Sequence, residues 1–454
     1  VRIKSGMLPA LTLAVFFWPG LSQGAQAEEL GLWECVRAAV TDHPVVRAGL
    51  WRVAQSQAAV DEDQTLFKPD FSFGASYAAN SYVAEIPLPK GPMALGGHHD
   101  AKLSLEAGHL LYDWGRRKNM LEGDIQLRQA SSQSLRQLRE RLGLEAGISY
   151  LRLLGARREM RIAGRSVETA DAHYKHLAAL NSQGLITYDE VLKGEVHLEQ
   201  TRIMLNRSSN RVKLAQAQLL QQMGLPMESR VSFEDSAAGI PEPLPPEQGI
   251  ELSLSRRPEL AAYNARLSAL ESLGASVQAD NKPAVRVFAA GNFARPGIDM
   301  YRNEWIGYAR AGVGLDWKFW DWGRKDYRVS KIKAQWEETL AERRVLEQQI
   351  ALELKSASLE EEEARDRLAL AGKALQAADE HFRIVSARFD QAQVTNTEYL
   401  DAREQATISA LEYSGAFVDL AIARWRLAYV SGQLAVEIES RWPGLAKENI
   451  EKAR

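Results

Sequence analysis

The residues that could do chemistry are few, and their neighbours do not complete a site. His98-His99-Asp100 and the pair His173/His176 have spacings that a metal ion can use, as neighbouring imidazoles and a carboxylate can converge on one cation. The first set falls in an expected loop and the second on an expected helix surface, so neither is assigned a metal. Glu398 and Asp401 are three apart and share one helix face. Carboxylates placed there either attract cations or simply favour the start of a helix. The chain holds no Walker loop, no nucleophile elbow, no zinc-protease helix and no paired-cysteine spacing, and its eight methionines form no cluster suited to copper. No catalytic, cofactor or metal site is expected, and the chain is read as a non-enzyme.

The elements that must position these residues occur twice. Asp113-Trp114-Gly115-Arg116 returns as Asp321-Trp322-Gly323-Arg324 at an offset of 208, which also relates Gln183, Thr187, Glu190 and Gly224 to Gln391, Thr395, Glu398 and Gly432. Upstream, His43-Pro44 answers Arg257-Pro258 and Lys68-Pro69 answers Lys282-Pro283 at an offset of 214. The first copy is thus six residues longer between its Lys-Pro and its Asp-Trp-Gly-Arg. A unit of this size present twice is a duplicated half rather than a solenoid repeat.

Each half reads as helix, strand, strand, very long helix, turn, helix. No proline stands between Pro92 and Pro226, or between Pro296 and Pro443, and both stretches are rich in helix formers. The first long helix is predicted from Arg116 to about Leu180, with a leucine stripe that seeks a neighbouring helix. Gly184 closes it, and Thr187-Tyr188-Asp189-Glu190 and Thr395-Asn396-Thr397-Glu398 are capping boxes for the helices that follow.

Residues 1–27 have a basic start, an apolar core from Met7 to Trp18 and a small-residue cleavage site at Ala25-Gln26-Ala27, the pattern of a secretory signal peptide. That core is too short to cross a bilayer, and no later apolar stretch is expected to exceed it. Cys35 is the single cysteine, so no intrachain disulfide is available, and it is expected to be a buried helix residue. Without Arg2 and Lys4 the balance is 54 basic against 59 acidic residues, or -5, which argues against a nucleic-acid partner.

Four short segments alternate with period two. Lys102–Leu111 sets Leu103, Leu105, Ala107, His109 and Leu111 against Lys102, Ser104, Glu106 and Gly108. Arg310–Trp320 sets Ala311, Val313, Leu315, Trp317 and Phe319 against Arg310, Gly312, Gly314, Asp316 and Lys318. Phe71–Tyr77 and Val285–Ala289 behave alike. Such strands want a greasy and a wet side. Four strands cannot close a barrel, and open edges in hydrocarbon would leave backbone groups unsatisfied, so in a membrane the strands must come from several chains, and three copies would supply twelve. Leu103, Leu105, Val313, Leu315, Trp317 and Phe319 would then face lipid, and Lys102, Glu106, Arg310, Asp316 and Lys318 the lumen. The long helices would continue the barrel as a tube.

In this order and in both copies, Leu30–Ala48, Arg257-Pro258-Glu259-Leu260, the two Asp-Trp-Gly-Arg turns and the Thr187 and Thr395 turns resemble the TolC-type outer membrane factors of Gram-negative bacteria. The resemblance covers essentially the whole chain after residue 27. It implies a largely α-helical chain with a β-barrel portion: a homotrimer with a twelve-stranded outer-membrane barrel and a periplasmic α-helical barrel. It implies the exit duct of a tripartite efflux pump or, alternatively, of a type I secretion system, with a periplasmic adaptor and an inner-membrane transporter as partners. The adaptor would dock at the tips, Gly184, Leu185, Ile186 and Thr187 in one copy and Gln393, Val394 and Thr395 in the other. Glu398 and Asp401 match the acidic positions of the family's periplasmic gate. Phe389 stands at the gate's aromatic position without a hydroxyl, and Val394 where the family has an arginine, so a polar lock of that kind is not expected.

The expected divisions are the signal peptide 1–27, a first repeat 28–225 with its hairpin at about 69–112, and a Pro- and Glu-rich connector 226–248. A second repeat 249–438 has its hairpin at about 283–320, and a tail 439–454 follows. Connector and tail would form a belt around the tunnel. A secreted coiled-coil structural or adhesive protein is the remaining alternative; it explains the helices but not the matching strand parity. The cargo is not written in the chain, because a passive duct makes few specific contacts.

Overall fold

Without proline to interrupt it, each copy lays down one α-helix of 67 residues, α3 at Arg116–Ser182 and α7 at Arg324–Asp390. Each spans roughly 100 Å at 1.5 Å per residue. The computed structural model describes residues 29–444 except 88, 90, 92, 244, 245 and 300. The expected signal peptide and residues 445–454 of the expected tail lie outside the described residues.

Before α3 come α1 (Leu32–Thr41), α2 (Pro44–Thr65), β1 (Asp70–Ala79), the short β2 (Ala84–Ile86) and β3 (Met93–Leu95), and β4 (His99–Tyr112). After it come α4 (Tyr188–Gln222), α5 (Pro246–Arg256), α6 (Pro258–Ala279), β5 (Ala284–Arg295) and β6 (Ile306–Asp316). Following α7 are α8 (Asn396–Val430) and α9 (Gln433–Arg441). Each half therefore begins with two helices where the sequence suggests one. Pro44 and Pro258 occupy the first turns of α2 and α6, where a missing N–H costs nothing, and so separate each from the helix before it.

The Asp-Trp-Gly-Arg turn is a corner that converts strand into helix. Asp113 accepts from the backbone N–H of Gly115 at 3.2 Å and of Arg117 at 3.0 Å; Asp321 accepts from Gly323 at 3.1 Å and Lys325 at 3.0 Å. Each carboxylate thus satisfies orphan donors at the start of a very long helix. Trp114 and Gly115, like Trp322 and Gly323, take positive φ, which redirects the chain from strand into helix within two residues.

The strands form one antiparallel sheet in the order β1-β4-β5-β6, with β2 and β3 as a separate small hairpin in the longer loop of the first copy. β6 stops at Asp316, so Trp317, Lys318 and Phe319 lie beyond the strand on which their roles were assigned. Trp317 Nε1 donates instead to the Asn281 carbonyl at 2.9 Å.

The main core sits halfway along the helices. Trp425 of α8 is fully buried, donates to the Leu144 carbonyl of α3 at 3.2 Å and meets Trp33 of α1 edge-on at 5.2 Å. Gly147 makes this possible, because a Cβ there would overlap the Trp425 indole. Cys35 is also fully buried here, and burial pushes its thiol up to about 12. The connector is strapped over this core: Tyr150 Oη lies 3.0 Å from the carbonyls of Glu234 and Ser236, and Leu30 pairs with the Phe233 strand segment. Its last part is already helical, as α5 begins at Pro246. One feature was not foreseen: α8 carries a window apolar and long enough to span a bilayer, but 44% of that window is buried inside the chain against α3 and α7.

Candidate functional site

The sheet has two chemically distinct faces, and its register fixes which residues share them. Rows running across β1, β4, β5 and β6 are Phe73, Leu105, Gly291, Ala309 and Phe71, Ala107, Ala289, Ala311 on one face. The neighbouring rows on the other face are Ser72, Glu106, Ala290, Arg310 and Gly74, Ser104, Asn292, Tyr308. Leu103, Leu105, Val313 and Leu315 are exposed on the first face among the described residues. On the second, Ala290, Asn292 and Ala294 are buried, and Arg310 lies 4.0 Å from Glu106. Lys102 and Asp316 share the second face through their partners Ala294 and Ala284. β1 and β6 are the edges, and among the described residues neither has a strand beyond it.

At the far end of the helices, Gly184 and Ala392 both adopt positive φ and turn the chain into the next helix. Leu185 is 65% exposed, Ile186 half-buried, and Val394 half-buried against Val385 and Tyr399. The second capping box forms in part, with Thr395 Oγ1 accepting from Glu398 N–H at 3.2 Å. Thr187 makes no such side-chain bond; its carbonyl receives Glu190 N–H instead. Glu398 and Asp401 are both exposed in the first turns of α8, where Tyr399 and Ala402 are buried.

Both singled-out histidine sets depart in part from the places expected: His98 lies in the loop and His176 on the helix surface, but their neighbours do not. His99 and Asp100 belong to β4 and are used by their neighbours: Tyr77 Oη lies 2.8 Å from His99 Nδ1, and Asn80 Nδ2 donates to Asp100 at 2.7 Å. His173 is not on the surface. It is 7% exposed, stacked on Tyr399 at 4.0 Å, 5.2 Å from Phe389, and its Nε2 lies 2.8 Å from Asn396 Oδ1. Asn396 Nδ2 in turn donates to the Glu190 carbonyl at 3.4 Å, so the two helical hairpins are tied together at their tips. Arg403 Nη2 to Thr169 Oγ1 at 3.2 Å, and Ser166 beside Thr407 at 3.4 Å, continue the ladder between α3 and α8. These ties involve neither Phe389 nor Val394 and come from residues not singled out as gate groups in the sequence.

Burial holds His173 below the ordinary histidine range, against a smaller favourable contribution from the Asn396 bond. His176 of the same helix and His197 of α4 oppose its protonation, and Asp390 at the end of α7 favours it. The separated helices therefore bind the proton more tightly than the packed cluster does. The packing is complete above about pH 6.5 and is lost progressively as pH falls below it. Hydrogen exchange of the Asn396–Arg403 amides, corrected for intrinsic rate, is expected to quicken on acidification in the parent. His173→Gln should show no such pH response; the same response in that variant would assign it to another group.

Long paired helices that carry a small, two-faced antiparallel sheet at one end define the architecture of an outer-membrane channel subunit. Residues 36–225 and 249–433 match the model of the outer membrane efflux protein family, and the chain belongs to that family. Its fold is similar to that of the outer-membrane channel OprN, at 19% identity and a TM-score of 0.73 over 88% of this chain and 89% of that one. The CmeC outer membrane channel of Campylobacter jejuni gives 15% and 0.73 over 90% and 88%. The outer membrane protein VceC of Vibrio cholerae gives 15% and 0.73 over 88% and 96%. No curated protein sequence matches significantly. Family membership sets aside the secreted coiled-coil alternative and places the chain among Gram-negative outer membrane efflux channels.

Proposed function

We propose that the chain is one third of a passive exit duct for a tripartite efflux pump. Three sheets close a twelve-stranded barrel in the outer membrane, and the hairpins α3/α4 and α7/α8 of three copies form a periplasmic tunnel. The observation that carries this reading is the sheet: four strands, two uncovered edges and one apolar face that is stable in water only if lipid or another copy covers it. Lys102, Glu106, Arg310 and Asp316 then line the lumen, while Leu103, Leu105, Val313 and Leu315 face lipid, with Trp317 and Phe319 at the barrel's rim. Lys318 follows the end of β6 at the same rim and keeps the lumen parity of Arg310 and Asp316. The tips Gly184–Thr187 and Gln393–Thr395 meet a periplasmic adaptor, which joins the duct to an inner-membrane transporter.

At the periplasmic entrance, threefold symmetry turns exposed Glu398 and Asp401 into two rings of three carboxylates. Divalent or trivalent cations added on the periplasmic side of a single channel are expected to block it. Replacing both residues with Ala should weaken that block by about tenfold or more, an effect of ~1.4 kcal/mol. Unchanged block in the double variant would make the two residues helix-start groups and put the constriction elsewhere. Native mass measurement in detergent checks the assembly: a trimer is expected, and a monodisperse monomer that still inserts into bilayers would end the shared-barrel reading.

A further inference from the structure

The two copies inside one chain show how one chain meets the next. The offsets of 208 and 214 hold for coordinates as well as for sequence: α2 and α6 begin and end 214 apart, while α3 and α7, like α4 and α8, begin and end 208 apart. The strand register obeys the same rule. Ser76↔Lys102 in the first hairpin maps by the two offsets onto Ala290↔Arg310, which is the register observed in the second. The junction between copies, β4 against β5, has its own register, with Glu106↔Ala290 and His109↔Val287. Moving that junction one half further round carries β4 onto β6 and β5 onto β1. Among the described residues of one chain, no strand pairs with the free side of β6.

Residues around the corner repeat this one-sided arrangement. Trp114 donates from Nε1 to the Pro283 carbonyl at 2.9 Å, has the Lys282 ammonium 5.1 Å over its ring and meets Tyr112 edge-on at 5.2 Å. Trp322 has the same φ of 58° and meets Trp320 edge-on at 5.6 Å, yet it is 85% exposed where Trp114 is 45% exposed. Its conformation is set, and its Lys-Pro partner is missing. Trp51 of α2 is 72% exposed, while Ala265, its counterpart on α6, is 4% exposed.

Resting on the trimer reading above, we infer that Trp322 and the segment after β6 form a socket for Lys68-Pro69 and β1 of a second copy, closing the sheet with Gly314 opposite Ser76. Trp322 Nε1 donates to the Pro69 carbonyl of that copy, and its Lys68 covers the indole. The same transfer sets Trp317 opposite Phe73 and Trp320 opposite Phe71, with Phe319 at the bulge that the β4–β5 pair shows between Leu110 and Tyr112. Residues 317–320, which lie outside the strand in the isolated chain, become strand on assembly because their partner arrives with the neighbour.

Cysteine cross-linking tests the register in the full-length protein, where Cys35 is buried and stays out of reach. Ser76 and Gly314 lie on opposite edges of the four-stranded sheet and eight residues out of row, since the row of Ser76 meets β6 at Ile306, so they are at least three strand spacings, or about 14 Å, apart. That is well beyond the roughly 7 Å a disulfide tolerates, so no bond can form within one chain. Ser76→Cys with Gly314→Cys is expected to give covalent trimers on mild oxidation, and the same-face shifted pairs Gly74→Cys or Ala78→Cys with Gly314→Cys to give few. Faster linking of a shifted pair, or no linking in a protein of trimeric mass, overturns the register alone. No linking together with a monomeric mass overturns the trimer as well. Trp322→Phe should lower the temperature at which trimers dissociate in detergent, whereas Trp114→Phe, whose acceptor is in its own chain, should not; equal effects would remove Trp322 from the interface.

Discussion

Charged residues at Leu185 and Val394 are expected to abolish export while leaving assembled channels in the outer membrane. Leu185 is the cleaner position of the two. It sits on a turn held by the positive φ of Gly184, it is 65% exposed, and it packs into none of the chain's buried clusters. An exposed leucine at the end of a helix some 100 Å long contributes nothing to the fold but offers an apolar contact to a partner. Leu185→Asp should therefore cost little stability and at least about tenfold in export, the effect of losing ~1.4 kcal/mol of docking. Val394 is half-buried beside Val385 and Tyr399, so Val394→Asp also loosens its own hairpin. Export is read from accumulation of a dye substrate in cells, and assembly from trimer recovered in the outer-membrane fraction. Normal export with charges at both turns would reduce the tips to structural hairpins.

Much of this architecture is legible in the sequence because its signals are local. Strand parity needs only neighbouring residues, and it placed Lys102, Leu103, Leu105, Glu106, Arg310 and Val313 on the faces they occupy. The Asp-Trp-Gly-Arg turns mark both corners because an Asp cap and a left-handed Gly act within four residues. What was missed depends on distant partners. His173 looks like a surface histidine until Asn396 and Tyr399, more than 220 residues later, cover it. The end of β6 was misplaced for the opposite reason: alternation continues through Phe319, but a strand also needs a neighbour, and in one chain none is there. Thr187 has the composition of a capping box without its side-chain bond, showing that the motif permits that geometry and does not impose it.

The second large effect is expected in the barrel. Leu105→Arg or Val313→Arg should prevent stable insertion, because an arginine facing hydrocarbon near the midplane costs ~2–4 kcal/mol per chain, and closure repeats that cost in every copy. Both side chains project from the apolar face, Leu105 at 60% and Val313 at 72% exposure. The matched controls lie one residue away on the other face. Ser104→Arg and Gly314→Arg should insert almost normally; Ser104 points to the polar row, and a Cβ on Gly314 meets nothing within 4 Å in its own chain and faces the lumen beside Ser76 of the next. Gly312 shares that face by parity but is a poor control, since a Cβ there would come within 2.8 Å of the Phe288 ring and disturb packing whatever charge follows. Folding yield into phosphatidylcholine vesicles, read by heat-modifiable gel mobility, separates the two sets. If Ser104→Arg and Leu105→Arg lose yield equally, the faces are not lipid and lumen, because only a boundary between hydrocarbon and water makes a one-residue step decide the outcome.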